Sequence, residues 1–126
     1  QNVNYDDVLL DVYDYLEARI EFAVSHGVKR TNIVIDPGIG FGKTQNHNLV
    51  LLRGLALFHS LGCPILLGAS RKRFIGTISG SEDVNTRMPG SLAVALAAVA
   101  QGSQFVRVHD VLETVQALKL WGAVRF

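Results

Sequence analysis

Three short apolar runs, Asn32-Ile33-Val34-Ile35, Pro64-Ile65-Leu66-Leu67 and the stretch from Gln104 to His109, recur along the 126-residue chain, each followed at once by glycine or a carboxylate. Runs this short, bounded by turn residues, read as strands rather than helices. The segments between them are far too long for hairpins and carry helical periodicity, so the strands are expected to be parallel and joined by helical crossovers.

The helical segments have their own signals. Val8, Val12, Leu16, Ile20 and Val24 stand four apart, with Leu9, Tyr13 and Ala23 alongside, and make one apolar stripe. Asn4, Asp6 and Asp7 suit the positive end of that helix, and Gly27 ends it. A second helix is expected from Asn46 to Ser60 with Gly62 as its stop, and a third, Ala-rich and apolar nearly all round, from Gly90 to Gln101 with Gly102 after it. Asp110 is expected to cap a last helix, with Glu113 three residues on, running to about Leu120. Arg71 to Pro89 lacks a long hydrophobic period and reads as a loop with one short helical turn. Trp121 and Tyr13 read as packing residues.

The order is helix, then strand-helix three times, with strands starting near residues 32, 64 and 104. That spacing suits part of a (β/α)8 barrel, about three strands and four helices, with a doubly wound open sheet as the competing α/β architecture. In both, ligands bind where the strands end. Twelve Lys+Arg against 11 Asp+Glu and 48% hydrophobic residues describe one globular domain over 1–126, neither disordered nor charged for nucleic acid or membrane. The longest apolar run, Leu92 to Ala100, falls well short of the roughly 18 to 20 residues of a membrane span. One cysteine, Cys63, leaves no internal disulfide and favours a reducing, cytoplasmic setting. Without an initiator Met or a signal core, the chain is expected to be a cut piece of a longer protein.

The polar residues that matter sit at the three strand ends. Asp36-Pro37-Gly38-Ile39-Gly40-Phe41-Gly42-Lys43 puts a carboxylate at the mouth of the sheet, and alternate glycines let the backbone approach a flat ligand or an anion. A Walker A loop would need glycine where Pro37 stands, and the dinucleotide fingerprint fails because the third glycine comes one residue early. The carboxylate suits the paired N–H groups of an amino-pyrimidinone ring, whereas the plain alternative is a turn with Asp36 as its local cap.

At the second end, Gly68-Ala69-Ser70-Arg71-Lys72-Arg73 sets three cations side by side, for solvent or for an electron-rich ligand. At the third, Arg107 and His109 fall on one face of a strand and make a candidate phosphate site. No His, Cys, Asp and Glu spacing suggests a metal site in this stretch, and Ser70 and His109 form no evident nucleophile pair.

Taken together and in this order, Asp-Pro-Gly-Ile-Gly-Phe-Gly-Lys, Ser-Arg-Lys and Arg-Val-His-Asp-Val resemble the motifs of the dihydropteroate synthase family of pterin-binding enzymes. The resemblance covers the whole chain, from the fifth barrel helix to the eighth, the C-terminal half of a TIM barrel. It implies a transferase of folate biosynthesis that joins p-aminobenzoate to 6-hydroxymethyl-7,8-dihydropterin diphosphate and releases pyrophosphate. It further implies that Asp36 and Lys72 are catalytic and, with Gly40, hold the pterin. By the same resemblance Phe41, Ser70 and Arg71 line the p-aminobenzoate side, where sulfonamides compete, and Arg107 and His109 bind the diphosphate.

Mg²⁺ is implied as well, its ligand expected from the other half of the barrel; with that half's strands and pterin-fixing groups absent, this stretch alone is expected to be inactive. A homodimer through the C-terminal helices is expected from the apolar 90–101 helix and from Leu112, Val115, Leu118 and Trp121 on the next. Two further readings stand beside this one. A pterin-binding methyltransferase would share the Asp36 site without needing the Ser-Arg-Lys loop or the Arg107 and His109 pair, and a purely structural half-barrel would have no activity of its own.

Overall fold

The computed structural model describes residues 4–125 and shows a mixed α/β arrangement dominated by helices. Helix α1 (Val8–Ser25) begins where Asp7 accepts the Leu10 N–H at 3.2 Å. Its apolar stripe is buried at Val8, Val12, Leu16 and Ile20. The stripe stops one turn earlier than its spacing predicts, since Val24 is 41% exposed on the last turn before the Gly27 stop.

Helix α2 (Gln45–Arg53) starts on a capping box made by Thr44 and His47. The expected single helix to Ser60 is instead broken at Gly54 and continues as a 3-10 turn, Leu55–Leu61. Glycine at the break gives α1 room to approach, because a Cβ on Gly54 would stand 2.6 Å from the Leu9 side chain of α1. Gln101 then serves the interrupted backbone: its side-chain oxygen accepts the Ala56 N–H at 3.0 Å and its amide donates to the Leu52 carbonyl. Tyr13 packs as expected, its ring centroid 6.1 Å from that of buried Phe58 and its hydroxyl 2.8 Å from Ser60 Oγ.

The strands are shorter than their apolar runs. Strand β1 (Leu66–Leu67) pairs in parallel with β2 (Phe105–Val106), Leu66 opposite Phe105. The run from Asn32 contributes only a parallel bridge at Ile35, held by Ile35 N–H to Pro64 O at 2.9 Å and Leu66 N–H to Ile35 O at 2.8 Å. Arg30–Asn32 are wound into a 3-10 turn, and Pro37 has no N–H to carry the ladder on. At the start of β2 the Gln104 side chain takes the Ile65 N–H at 2.9 Å, replacing a ladder carbonyl. Ile65 and Leu67 are essentially buried, with Phe58, Leu51, Leu55 and Ile39 packed around them. Each such side chain contributes about 1.5–3 kcal/mol through removal from water.

The segment expected as a loop from Arg71 to Pro89 carries a two-turn helix α3 (Arg73–Ser79) and a 3-10 turn, Val84–Thr86. Phe74 and Ile75 anchor α3, but seven residues are too few to show a period in sequence. Helix α4 (Met88–Ala100) has Pro89 in its first turn, and α5 (Val111–Val124) runs one turn beyond the expected Leu120. Asp110 precedes α5, yet its side chain makes no capping bond.

Candidate active site at the strand ends

The parallel pairing of Ile35, β1 and β2 sets the three polar motifs at neighbouring strand ends. Asp36 is half-buried there: Oδ1 accepts the Gly38 N–H at 2.8 Å and Oδ2 stands 3.6 Å from Arg107 Nη1. The Arg107 guanidinium lies over Gly68, where a Cβ would overlap it. Glycine at the end of β1 thus makes room for an arginine from the end of β2.

The Gly-rich loop folds over the ammonium groups. Gly40, at φ +89°, donates its N–H to the buried Asn48 Oδ1 at 2.8 Å. Lys72 Nζ donates to the Ile39 carbonyl and stands 4.2 Å from the centroid of the exposed Phe41 ring. Lys43 Nζ donates to the carbonyls of Gly38 at 2.8 Å and Phe41 at 3.0 Å. Burial pulls Lys72 below the ordinary lysine value, Arg107 pulls it further, and Asp36 works against both. Lys43 is lowered by burial and by Lys72, again opposed by Asp36.

Phe41, Gly68, Ser70, Lys72, Arg107 and His109 line one cavity of about 420 Å³. A neighbouring cavity of about 430 Å³ is walled by Gly40, Phe41, Lys43 and Lys72 together with Asn48 and α3. Ser70 Oγ accepts the His109 N–H at 3.3 Å and stands 2.9 Å from His109 Nδ1. Sequence spacing shows no such serine–histidine pair; the structure makes one.

Arg71 is placed differently from its neighbours. Its backbone is left-handed, φ +58°, its N–H donates to Ser91 Oγ at 2.8 Å, and its guanidinium meets Asp110. The Asp110 hydrogen bond raises the Arg71 pKa above its ordinary value. That contact also explains why Asp110 does not cap α5.

Three supporting residues escaped the reading of the sequence. Asn48 holds Gly40, Ser91 holds Arg71, and Arg87 donates to the carbonyls of Arg71, Ser81 and Glu82 at 3.0, 3.0 and 2.7 Å. A lone arginine before Met88-Pro89 carries no sequence signal for this role.

A carboxylate, an ammonium and an Arg/His pair converging at the carboxyl ends of parallel strands define an α/β ligand-binding protein of the kind that binds at its strand rim. The chain belongs to the pterin-binding enzyme family, whose sequence profile, described as pterin binding enzyme, matches residues 1–109. It is 47% identical over 124 residues to dihydropteroate synthase of Neisseria meningitidis serogroup C, covering 98% of this chain and 44% of that protein. The structure of dihydropteroate synthase from Thermus thermophilus in complex with 4-aminobenzoate superposes with a TM-score of 0.93 at 47% identity, over 98% of this chain and 50% of that one. The enzyme from Xanthomonas albilineans in complex with 7,8-dihydropteroate gives 0.95 at 44% identity, over 97% and 47%. The chain therefore spans about half the length of the relatives it matches.

Proposed function

We propose that this chain forms the C-terminal half of a (β/α)8 barrel that acts as a dihydropteroate synthase, condensing p-aminobenzoate with 6-hydroxymethyl-7,8-dihydropterin diphosphate. The observation that carries the reading is the convergence of Asp36, Lys72, Arg107 and His109 at neighbouring strand ends, with Asp36 3.6 Å from Arg107 and the other three on one cavity. The relatives bound to 4-aminobenzoate and to 7,8-dihydropteroate support it. An anion-binding pair at the end of β2 also favours a diphosphate substrate over methyl transfer.

In this reading the Asp36 carboxylate accepts the paired N–H groups of the amino-pyrimidinone edge, and the Lys72 ammonium leaves Ile39 O for the ring carbonyl. Gly40 lets the loop approach the ring. Arg107 and His109 hold the diphosphate, whose departure takes the electron pair of the methylene carbon–oxygen bond. The amine nitrogen of p-aminobenzoate then forms the carbon–nitrogen bond and sheds a proton. The Arg107 cation and the His109 N–H at the leaving oxygens favour that departure by stabilising the charge that develops there. Phe41, Ser70 and Arg71 are assigned to the p-aminobenzoate side, where sulfonamides would compete, with Arg71 reaching it only through the loop it braces against Asp110.

Among the described residues no three His, Cys, Asp or Glu side chains come together, and Mg²⁺ commonly takes only one or two carboxylates beside water and substrate phosphate oxygens. The resemblance implies a magnesium ion whose protein ligand is supplied by the other half of the barrel. Among the described residues no helix is long and apolar enough to cross a membrane; a cytoplasmic enzyme is inferred from the resemblance and the free, buried Cys63. Homodimerisation through α5 is supported by its exposed Val111, Leu112, Val115, Leu120 and Val124. A monomer in analytical ultracentrifugation of the full-length enzyme at micromolar concentration would overturn it.

The reading is tested by Asp36→Asn in the full-length enzyme. Loss of a charge-assisted bond, on the order of 1.5–3 kcal/mol, lowers pterin affinity at least about tenfold. Unchanged affinity by calorimetry removes Asp36 from the pterin site.

A further inference from the structure

The hydroxyl of Ser70 joins the ends of β1 and β2 at one point. It is half-buried on the wall of the 420 Å³ cavity, accepts the His109 backbone N–H at 3.3 Å, and lies 2.9 Å from Nδ1 of the same residue. We propose that Ser70 is a positioning residue that holds the neutral His109 ring as its Nε2–H tautomer, turning that ring into a fixed N–H donor for a diphosphate oxygen. The proposal rests on the diphosphate reading of Arg107 and His109 given above.

A serine hydroxyl has one hydrogen to donate and two lone pairs. One lone pair of Ser70 is taken by the His109 main chain, and Nδ1 is the side-chain acceptor the structure offers its hydrogen. With the ring proton on Nδ1, Oγ would accept twice and turn its own hydrogen to solvent, whereas an unprotonated Nδ1 takes that hydrogen within the protein. Donation from Ser70 to Nδ1 therefore leaves the ring proton on Nε2. The double contact, main chain and ring, also fixes the ring's angle relative to Arg107. In the neutral ring the result is an Nε2–H donor oriented by Ser70, beside an arginine that is always charged.

The test is proton-coupled ¹⁵N NMR of the full-length enzyme, with the His109 signals assigned by their loss in His109→Gln. The expected spectrum of the neutral ring shows an unprotonated Nδ1 and a protonated Nε2 in the wild type and in Ser70→Thr, which keeps the hydroxyl. Ser70→Ala should give a mixture of tautomers and weaken binding of inorganic pyrophosphate at least about threefold, the loss of one hydrogen-bond constraint, with Ser70→Thr restoring it. A protonated Nδ1 in the wild type, or an unchanged tautomer in Ser70→Ala, overturns the proposal. The wild-type spectrum decides the tautomer even if Ser70→Ala does not fold. Pyrophosphate affinity that survives Arg107→Ala refutes the diphosphate reading itself, and with it the ring's role, whatever the tautomer.

Discussion

Arg71 and Asp110 form a two-pronged ion pair across the mouths of β1 and β2, with Arg71 Nη2 2.8 Å from Asp110 Oδ1 and Nε 3.3 Å from Oδ2. With the Ser70–His109 contact beside it, the pair ties the loop after one strand to the loop after the next. Paired N–H donors fix the relative angle of guanidinium and carboxylate as well as their distance. This bracing holds Arg71 in its left-handed conformation, from which its neighbour Lys72 reaches the Gly-rich loop.

Asp110→Asn keeps the shape and removes the charge. The Arg71 amide, bonded to Ser91 Oγ at 2.8 Å, should then exchange its hydrogen about tenfold faster, as expected when a local opening becomes easier by one weakened interaction. Mass-resolved hydrogen exchange reads this directly. An unchanged rate would show that Ser91 alone holds the loop.

Gly68→Ala tests the approach of Arg107. The new methyl group overlaps the guanidinium, which must swing away from Asp36. The moving part is the free end of a side chain that is 58% exposed, so the melting temperature should change little. Pyrophosphate affinity should fall about tenfold, matching the loss of one charge-assisted contact. Retained affinity in a binding titration would place the anion elsewhere.

The pH dependence follows from Lys72. Its folded value lies below the ordinary 10.5, through burial first and Arg107 second. Pterin binding that uses the ammonium is therefore lost as pH rises through that lowered value rather than at 10.5. Arg107→Ala removes a repelling charge and should move this alkaline limb upward; Asp36→Asn removes the opposing attraction and should move it downward. The unfolded chain holds the Lys72 proton more tightly, so the group disfavours folding at neutral pH and that penalty fades as pH approaches 10.5. Fluorescence titration with a pterin between about pH 8 and 11 reads the limb, which brackets the lysine range. A limb that does not move in Arg107→Ala would show that Lys72 is not the titrating group.

Arg87 is expected to matter for stability more than for chemistry. Its guanidinium serves three backbone carbonyls, those of Arg71, Ser81 and Glu82. Arg87→Ala should cost about 2–4 kcal/mol in urea unfolding, since hydrogen bonds from a charged donor contribute more than neutral ones and the carbonyls lose their partner together. Arg87→Lys should recover only part of that, because one ammonium does not reproduce the planar fork. A cost below about 1 kcal/mol for Arg87→Ala would mean that water replaces it, as at an ordinary surface position.

The residues Val8, Val12, Leu16 and Ile20 announced α1 by their spacing alone, and the alternation of three apolar runs with helices announced parallel strands. The polar motifs were legible too, because a strand that ends in Asp-Pro-Gly or Gly-Ala-Ser has its side chains placed at the rim by the pairing itself. Each of these depends on a residue and its near neighbours, which periodicity reports.

Other features needed the packed molecule. The close approach of Leu9 to Gly54 at the break of the second helix, and the service of the interrupted backbone by Gln101 from far along the chain, join segments distant in sequence. Ser70 and His109, like Arg71 and Asp110, are 39 residues apart in sequence and meet only because β1 and β2 lie in register. A hydrogen bond tolerates only a few tenths of an ångström in distance and a limited range of angle. Local propensity sets which elements form; their relative placement to that tolerance is set by the whole core at once, so the side-chain partnerships that shape this site were decided by the tertiary structure.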